Sequence, residues 1–385
     1  MTASSAERAD RAAQGDAASS ARRPRAARTV GPVRVVGTGL LGTSIGHALT
    51  ALGVEVQLAD SSRAALSLAV DYGAGRIAAP GDRPSLIVVA VPPDVTAEVV
   101  EGELAAHPEA IVTDVASVKL EPLEELRRRG VDLARYIGSH PMAGRERGGA
   151  ISGRADLFVG RPWILCPAPA ASHEGLARVE ALALDLGGLP IEMAPAEHDA
   201  AVALVSHLPQ LVSSLLAKRL TAAAEESVAL AGQGLRDTTR VAASDPALWT
   251  QILTANARPV VELLRAFRDD LGDVIDALAE PDAPGARRAI AGLIADGGVG
   301  VARIPGKHGQ SRRFATVTVL VDDEPGQLGR LFTFMGEIGI NLEDLRLEHS
   351  PGAQVGMAEI SVLPEVEARF IAELEAAGWR IGGAE

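Results

Sequence analysis

The chain has 385 residues, of which 47% are hydrophobic and only 3% aromatic, and its formal charge is −13. This length favours two or three domains over one, with cores built mainly from Ala, Val, Leu and Ile. The acidic balance argues against nucleic acid or an anionic membrane as a main partner, because phosphate binding needs clustered Lys and Arg.

Cysteine usage and hydropathy bear on the compartment. The single cysteine, Cys166, cannot form an intrachain disulfide, and no Cys/His cluster has zinc-type spacing, so we expect no bound metal and a reducing environment. No run approaches 18 apolar residues, and the first thirty residues lack the apolar middle of a secretory signal. A cytoplasmic location is expected.

Residues 1–31 contain almost no large apolar side chains and are predicted to be a disordered tail. Short β-branched runs then alternate with helical stretches. The runs are VRVVG (33–37), VEVQLAD (54–60), SLIVVAV (85–91), AIVTDVA (110–116) and YIGS (136–139). The pattern predicts an α/β Rossmann domain over residues 32–166, with a doubly wound parallel sheet.

Strand signals fade beyond about residue 167, and Ala/Leu-rich helical periodicity runs to about residue 301, with Pro209 and Pro259 as predicted kinks or breaks. An all-α substrate and dimerisation domain is therefore predicted for residues 167–305. The segment 200–217 is apolar on too many faces for a solvated helix, so we expect it to be buried in a bundle or against a second subunit. A homodimer is expected.

The stretch GKHGQSRR (306–313) combines charge with turn formers and is predicted to be a linker. Beyond it, ATVTVLV (315–321) and AEISVLP (358–364) are strand-like, while 327–339 and 365–378 are helical. With weaker strands near 342–348 and 379–382, residues 314–385 are predicted to form a small α+β domain of order βαββαβ.

A glycine-rich loop lies where the first predicted strand gives way to a helix. Gly37, Gly39 and Gly42 form GxGxxG, and Asp60 ends the next strand, where a carboxylate can bind the adenosine ribose and repel a 2′-phosphate. This favours NAD, although Ser61, Ser62 and Arg63 leave NADP open. The predicted cofactor-binding residues are Gly37, Gly39, Leu40, Leu41, Gly42, Asp60, Ser61, Val91 and Pro92.

Four segments carry a family resemblance: DVASVK (114–119), SHPMAGRERGG (139–149), SHLPQ (206–210) and RDTTRVAASDPALW (236–249). In this order they resemble the prephenate/arogenate dehydrogenase family of tyrosine biosynthesis, over roughly residues 33–305. The resemblance implies an NAD-linked oxidative decarboxylation, in which hydride leaves the ring carbon bearing the hydroxyl, carbon dioxide is lost and the ring becomes aromatic. Prephenate and arogenate both remain candidate substrates.

The resemblance also implies roles for individual residues. His140 would accept a hydrogen bond from the ring hydroxyl, Ser117 would orient His140, and Arg240 would clamp a substrate carboxylate. The implied substrate-side residues are Ser206, Gln210, Glu146 and Trp249. Simpler alternatives stay open: a capping histidine at 140, a turn serine at 117, a solvated Glu146 and a core Trp249. Many family members carry His where this chain has Gln210.

The segment DDEPGQLGRLFTFMGEIGINLEDL (322–345) resembles the ACT family of small amino-acid-binding domains. The resemblance implies feedback by tyrosine, at a site formed by Glu324, Pro325, Gly326, Gln327, Leu328 and Asn341. A dimerisation module without a ligand is the alternative.

Two rival functions make different demands on the same residues. A β-hydroxyacid-type dehydrogenase would need a catalytic lysine on the helical domain, where Lys218 lacks the expected surroundings. A non-catalytic sensor of amino acids and NAD would predict a damaged site, whereas His140, Ser117 and Arg240 are all present.

Overall fold

The structure is a computed structural model that describes residues 26–144, 149–304, 314–349 and 355–382. The predicted linker 306–313 and residues 1–25 of the predicted tail lie outside the described residues. The chain divides into two compact units. One contains the described residues up to Ser214 together with Val241–Leu263, and the other contains Leu215–Arg240 with the described residues from Leu264 onward.

An eight-stranded sheet forms the centre of the first unit, in the order β3-β2-β1-β4-β5-β6-β7-β8. The strands are β1 (Val33–Val36), β2 (Val56–Ala59), β3 (Arg76–Ile77), β4 (Leu86–Val89), β5 (Ile111–Asp114), β6 (Tyr136–Pro141), β7 (Pro162–Pro167) and β8 (Leu189–Glu192). Strands β1 to β6 pair in parallel, which confirms the predicted Rossmann-like sheet. Strands β4 and β5 are buried along their whole length, because helices cover both faces of the sheet.

Five helices cover this sheet: α1 (Leu40–Ala51), α2 (Arg63–Asp71), α3 (Pro93–Ala106), α4 (Leu120–Arg128) and α5 (His173–Asp185). Two begin at serine caps, since the Ser62 hydroxyl accepts the Ala65 N–H and the Ser172 hydroxyl accepts the Gly175 N–H. Thr29 is also packed here: its backbone N–H and its hydroxyl both donate to Asp185, over 2.7 and 2.8 Å. Thr29, which was predicted to lie in a disordered tail, is therefore part of the folded first unit.

The prediction that strands end near residue 167 was wrong. Strand β7 pairs antiparallel with β6, so the sheet is mixed rather than all parallel, and β8 then pairs parallel with β7. Both strands give weak sequence signals, because β7 has proline at each end and β8 is an exposed edge strand that contains Pro190. Helix α5 accordingly belongs to the Rossmann layer and not to the helical region.

The region after β8 is helical, as predicted. Its helices are α6 (Pro195–Val202), α7 (Leu208–Leu220), α8 (Glu225–Val228), α9 (Gln233–Thr239), α10 (Pro246–Ala255), α11 (Ala257–Ala279) and α12 (Ala286–Val301). A π-helical turn, Ala203–His207, joins α6 to α7 just before Pro209, which has no N–H for the helical ladder. Pro259 lies in the first turn of α11, where a proline is tolerated.

The continuous helix Pro195–Leu220 is long and apolar enough to cross a membrane by length and composition, with a mean hydropathy of 1.6 over its most apolar stretch. It also carries buried His198, Asp199, His207 and Gln210, all hydrogen-bonded within the first unit. Polar groups satisfied in this way are typical of a helix packed against protein.

The C-terminal part of the second unit has the element order predicted for it. It comprises β9 (Ala315–Asp322), α13 (Gln327–Glu337), β10 (Asp344–His349), β11 (Val355–Val362), α14 (Glu367–Ala376) and β12 (Arg380–Gly382). The four strands form an antiparallel sheet in the order β10-β11-β9-β12. Alternate residues of β11 are buried, and they pack with Leu331, Phe370 and Leu374 of the two helices.

Candidate active site

The loop between β1 and α1 requires glycine at two positions, because the backbone there packs too closely for a side chain. Gly37 has φ +97°, and a Cβ there would lie 2.3 Å from the Ala90 carbonyl oxygen. A Cβ on Gly42 would lie 1.9 Å from the Gly37 carbonyl oxygen, so the helix can approach the strand only without a side chain.

Gly39 differs from its two neighbours in the motif, because a Cβ there would meet no protein atom within 4 Å. It is the N-cap of α1, and Leu40 and Leu41 begin the helix. The first backbone amides of a helix attract phosphate. The space beside Gly39 therefore fits the pyrophosphate of a dinucleotide.

Asp60 directly follows β2 and closes the other side of this loop. Its carboxylate accepts the Thr38 N–H at 2.6 Å, the Thr38 hydroxyl at 2.8 Å and the Ser62 N–H at 2.7 Å. A carboxylate fixed here disfavours a 2′-phosphate. Ser61 and Arg63 are exposed at the same corner. Val91 and Pro92 follow β4, with Pro92 as the N-cap of α3.

His140 lies near the carboxyl end of β6, on the same sheet edge as the glycine loop, because β1, β4, β5 and β6 run parallel. Its Nδ1 lies 2.9 Å from Nε2 of His198 in α6. Nδ1 of His198 lies 2.7 Å from the Asp199 carboxylate. Asp199 in turn accepts the backbone N–H groups of Lys119 and Leu120 at 2.8 and 2.9 Å, at the start of α4.

The surroundings of His140 keep its imidazole neutral. Burial is the main cause that lowers its pKa well below the usual value, and repulsion by His198, Lys119 and His207 in their protonated forms lowers it further. Burial disfavours the charged form of an imidazole, so the ring remains a hydrogen-bond acceptor at neutral pH.

A fully buried polar cluster supports the loop after β5. Asp114 forms an ion pair with Lys119 and accepts the Tyr136 hydroxyl at 2.7 Å and the Ala116 N–H at 2.9 Å. Burial, followed by the Asp114 charge, raises the pKa of Tyr136 well above its usual value. Ser117 is half-buried in the loop that this cluster holds.

The predicted substrate-side residues take different positions. Ser206 is half-buried in the π turn, and Gln210 is buried, donating to the Ser214 hydroxyl at 3.3 Å and accepting from Ser244 at 3.4 Å. Trp249 is half-buried and edge-on to His207, with 6.0 Å between ring centroids. The neighbour of Ser206, His207, is buried, and burial lowers its pKa to about 4.

The position of two of the implied residues relative to His140 is not described. Arg240 begins the 3₁₀ turn Arg240–Ala242 at the end of the segment Leu215–Arg240, which belongs to the second unit, and it is exposed. Glu146 lies outside the described residues.

Sequence reasoning missed His198, Asp199 and Asn256. The Asn256 amide donates to the Asp199 carbonyl at 2.8 Å and to Nδ1 of His207 at 3.1 Å, which ties α10 and α11 to the π turn. A signal was available for the first two, since His198 and Asp199 are adjacent polar residues near the start of a long and largely apolar helix.

Comparison with protein families decides the identity. The family model for the nucleotide-binding domain of prephenate dehydrogenase matches residues 45–191, and the model for its dimerization domain matches residues 194–291. The chain belongs to the prephenate dehydrogenase family. It is thus a member of a family of NAD-dependent oxidoreductases, and neither of these two family models extends past residue 291.

Individual relatives agree with this assignment. The chain is 35% identical over 358 residues to "Probable prephenate dehydrogenase NovF" of Streptomyces niveus, covering 90% of this chain and 98% of that protein. It is 30% identical over 265 residues to the cyclohexadienyl dehydrogenase of Zymomonas mobilis, covering 65% of this chain and 89% of that protein.

Two solved structures share the fold. Prephenate dehydrogenase of A. aeolicus, in complex with hydroxyphenyl propionate and NAD+, has a TM-score of 0.61 and 25% identity, covering 69% of this chain and 96% of its own. Synechocystis arogenate dehydrogenase has a TM-score of 0.56 and 29% identity, covering 69% of this chain and 98% of its own. Each of these structures therefore leaves about a third of this chain unmatched.

The open space at Gly39 gives a test of cofactor binding. Gly39→Ala is expected to lower NAD affinity by about tenfold, equivalent to ~1.4 kcal/mol, because the new methyl group would occupy space left for the pyrophosphate. The melting temperature should hold, since the methyl meets no protein atom. Calorimetric titration with NAD measures the affinity.

The matched control is Gly102→Ala in α3, where a Cβ also meets no protein atom. It should leave NAD affinity unchanged. Equal NAD affinity in the Gly39→Ala variant and the wild type would contradict the placement of the pyrophosphate.

Proposed function

We propose that this chain catalyses the NAD-dependent oxidative decarboxylation of prephenate to 4-hydroxyphenylpyruvate. The observation that carries the proposal is the position of His140, on the sheet edge that bears the glycine loop and hydrogen-bonded to His198, where burial lowers its pKa. Family membership gives the reaction class, and this geometry offers an acceptor for the ring hydroxyl where a nicotinamide would be held.

The residues present fit a dinucleotide. Gly37, Gly39 and Gly42, with the start of α1 at Leu40 and Leu41, would hold the pyrophosphate. Asp60 would bind the adenosine ribose, with Ser61 beside it, and Val91 and Pro92 would line the cofactor at the end of β4. When bound, NAD accepts the hydride that leaves the substrate ring.

His140 would take the hydroxyl proton on Nε2 as the ring carbon is oxidised. Loss of carbon dioxide then returns an electron pair to the ring, and the proton goes back from His140 to the phenolate oxygen, so no net proton is consumed. Ser117 would bond to the same hydroxyl or to His140 from its turn. His140 can accept the hydroxyl proton, or a hydrogen bond from Ser117, only while its imidazole is neutral.

The substrate carboxylate that is not lost as carbon dioxide, and the substrate side chain, need contacts other than those made by His140 and Ser117. Arg240 would clamp a carboxylate through two charge-assisted hydrogen bonds, while Ser206, Gln210, Glu146 and Trp249 would line the substrate. Arogenate is the second candidate substrate, because one solved structure with this fold is an arogenate dehydrogenase. Gln210 is a neutral hydrogen-bonding group and would be compatible with a keto or an amino side chain.

The first test compares both substrates in the wild type and in His140→Asn. NAD reduction should proceed with prephenate, and the variant should lower kcat by roughly two to four orders of magnitude, since it removes the proton acceptor. Because burial holds the His140 pKa low, the wild-type kcat should fall only at pH values below the ordinary imidazole range. Stopped-flow absorbance of NADH over a pH series measures both effects.

NAD affinity of the His140→Asn variant serves as the control and should be unchanged. Turnover of neither substrate by the wild type, with NAD bound, would refute the proposed reaction. Unchanged kcat in the variant would remove His140 from the mechanism.

Arg240 is tested by its effect on substrate binding. Arg240→Ala is expected to raise KM for prephenate by roughly two to four orders of magnitude, because the two charge-assisted hydrogen bonds that it would remove are each worth roughly 1.5 to 3 kcal/mol. Arg236→Ala, four residues earlier and also exposed, is the matched control. An unaltered KM in Arg240→Ala would exclude the clamp.

A homodimer formed through the helical region is part of the proposal, since the family model that matches residues 194–291 describes a dimerization domain. Several large apolar side chains of these helices are exposed in the single chain, which suits burial against a second subunit. They include Leu204, Val205, Leu215, Leu271 and Ile275. We also propose a cytoplasmic location, as expected for a biosynthetic enzyme of this family.

We propose that the C-terminal βαββαβ region is an ACT domain that binds tyrosine as an effector. A pocket lies between the end of β9 and the start of α13, lined by Glu324 and Gly326 from the loop and by Gln327, Leu328 and Gly329 from α13. Pro325 is in the same loop and is exposed, whereas Asn341 lies beyond α13 and donates to Glu343 at 3.4 Å. Acidic side chains beside a helix N-terminus suit the ammonium and carboxylate of an amino acid.

Filling this pocket tests the regulation. Gly329→Leu should remove inhibition by tyrosine while leaving kcat without tyrosine unchanged, because the added side chain would occupy the pocket. Gly336→Leu, on the same helix but away from the pocket, should keep the inhibition. Initial rates over a tyrosine series measure the effect, and full inhibition of the Gly329→Leu variant would move the effector site elsewhere.

A further inference from the structure

The pair His198 and Asp199 in α6 lies behind His140 and takes no part in the roles proposed so far. His198 is 1% exposed and Asp199 3% exposed. Their side chains link the first catalytic candidate to the start of α4 through consecutive hydrogen bonds. The direction of those bonds can be derived from the chemistry of each group.

Asp199 fixes the first bond. A carboxylate only accepts hydrogen bonds, and this one already accepts the N–H groups of Lys119 and Leu120, so its position is set by the backbone of α4. Nδ1 of His198, 2.7 Å away, must therefore be the donor. The orientation of the His198 ring follows from this contact.

The second bond follows from the first. A neutral imidazole carries one proton; in the neutral form of His198 that proton is on Nδ1, the atom that faces Asp199, so Nε2 presents a lone pair. Nδ1 of His140, 2.9 Å from that lone pair, must then carry the proton of its own ring. Nε2 of His140 is left without a proton, which is the form that can accept one.

The groups facing this pair come from three elements. Lys119 approaches from the loop before α4 and is paired with Asp114 of β5, while Asp199 and His207 lie on the helix that carries His198. Burial, together with the Lys119 charge, lowers the pKa of His140 and favours its neutral form. Only a neutral ring has a tautomer for its neighbour to set.

We propose that His198, oriented by Asp199, is a positioning residue that places the His140 proton on Nδ1 and leaves Nε2 as the acceptor of the substrate hydroxyl. The proposal rests on the proposed function for its catalytic consequence. The opposite tautomer would present an N–H to the hydroxyl, and the ring could then neither accept nor return the hydroxyl proton.

Two substitutions at one position separate this role from packing. His198→Gln keeps an amide oxygen near the place of Nε2 and can still accept from His140, whereas His198→Asn is too short to reach it. His198→Asn is expected to lower kcat by about tenfold to a hundredfold, with KM for prephenate and NAD affinity unchanged. His198→Gln should recover most of that loss of kcat. Steady-state kinetics measures kcat and KM, and calorimetric titration measures NAD affinity.

The same pair of substitutions at His173, an exposed histidine at the start of α5, is the matched control and should leave kcat unchanged. Equal losses of kcat in His198→Asn and His198→Gln would overturn the proposal, because a packing role does not distinguish the two. So would a rise in KM or a loss of NAD affinity as the main effect of His198→Asn.

A direct measurement needs no substrate. In the full chain with ¹⁵N-labelled imidazoles, long-range proton–nitrogen NMR spectra assign the tautomer of each of the eight histidines, with His140 identified from the His140→Asn variant. We expect His140 to be protonated on Nδ1 in the wild type and to lose this preference in His198→Asn. Protonation on Nε2 in the wild type would overturn the inference, whereas failure of turnover with the expected tautomer would refute only the proposed function.

Discussion

The Asp199 carboxylate, held between two backbone amides, is the contact on which the site depends. The Lys119 and Leu120 amides are 80 and 79 residues away in sequence, and they form the start of α4. A carboxylate at a helix N-terminus satisfies donors that would otherwise be unpaired and lies at the positive end of the helix dipole. One side chain therefore caps α4, attaches α6 to the sheet edge and orients His198 towards His140.

Lys119 extends this arrangement into the core. Its backbone donates to Asp199 while its ammonium pairs with Asp114, so one residue joins the end of β5 to α6. A buried ion pair contributes little net stability, because desolvation offsets most of its attraction. Its effect here is geometric: the turn that carries Ser117 is anchored at both ends. The ammonium also lies near enough to disfavour a second positive charge on His140.

The sequence predicted those parts of the fold that depend on local patterns. Strands β4 and β5 are buried throughout and therefore appear as continuous apolar runs, and the loop at Gly37 needs a backbone that only glycine adopts easily. The order of elements in the C-terminal region was predicted because alternate burial along a strand gives a hydrophobic pattern with a period of two residues. Edge strands β7 and β8 lack such patterns. The His198–Asp199 pair was missed because its meaning arises only when the fold brings it to His140.

The low basicity of His140 is consistent with the proposed chemistry. The hydroxyl proton has to be taken as hydride leaves and returned once the ring is aromatic, so a strong base would slow the second step. Burial lowers the pKa of the His140 imidazole before the reaction begins. When Nε2 of His140 gains a proton, however, its Nδ1–H becomes a stronger hydrogen-bond donor to His198. The Nδ1–H of His198 in turn donates to the Asp199 carboxylate, and hydrogen bonds in such a chain polarise one another. The chain to Asp199 therefore favours the protonated ring mainly during the reaction, which is where stabilisation raises the rate.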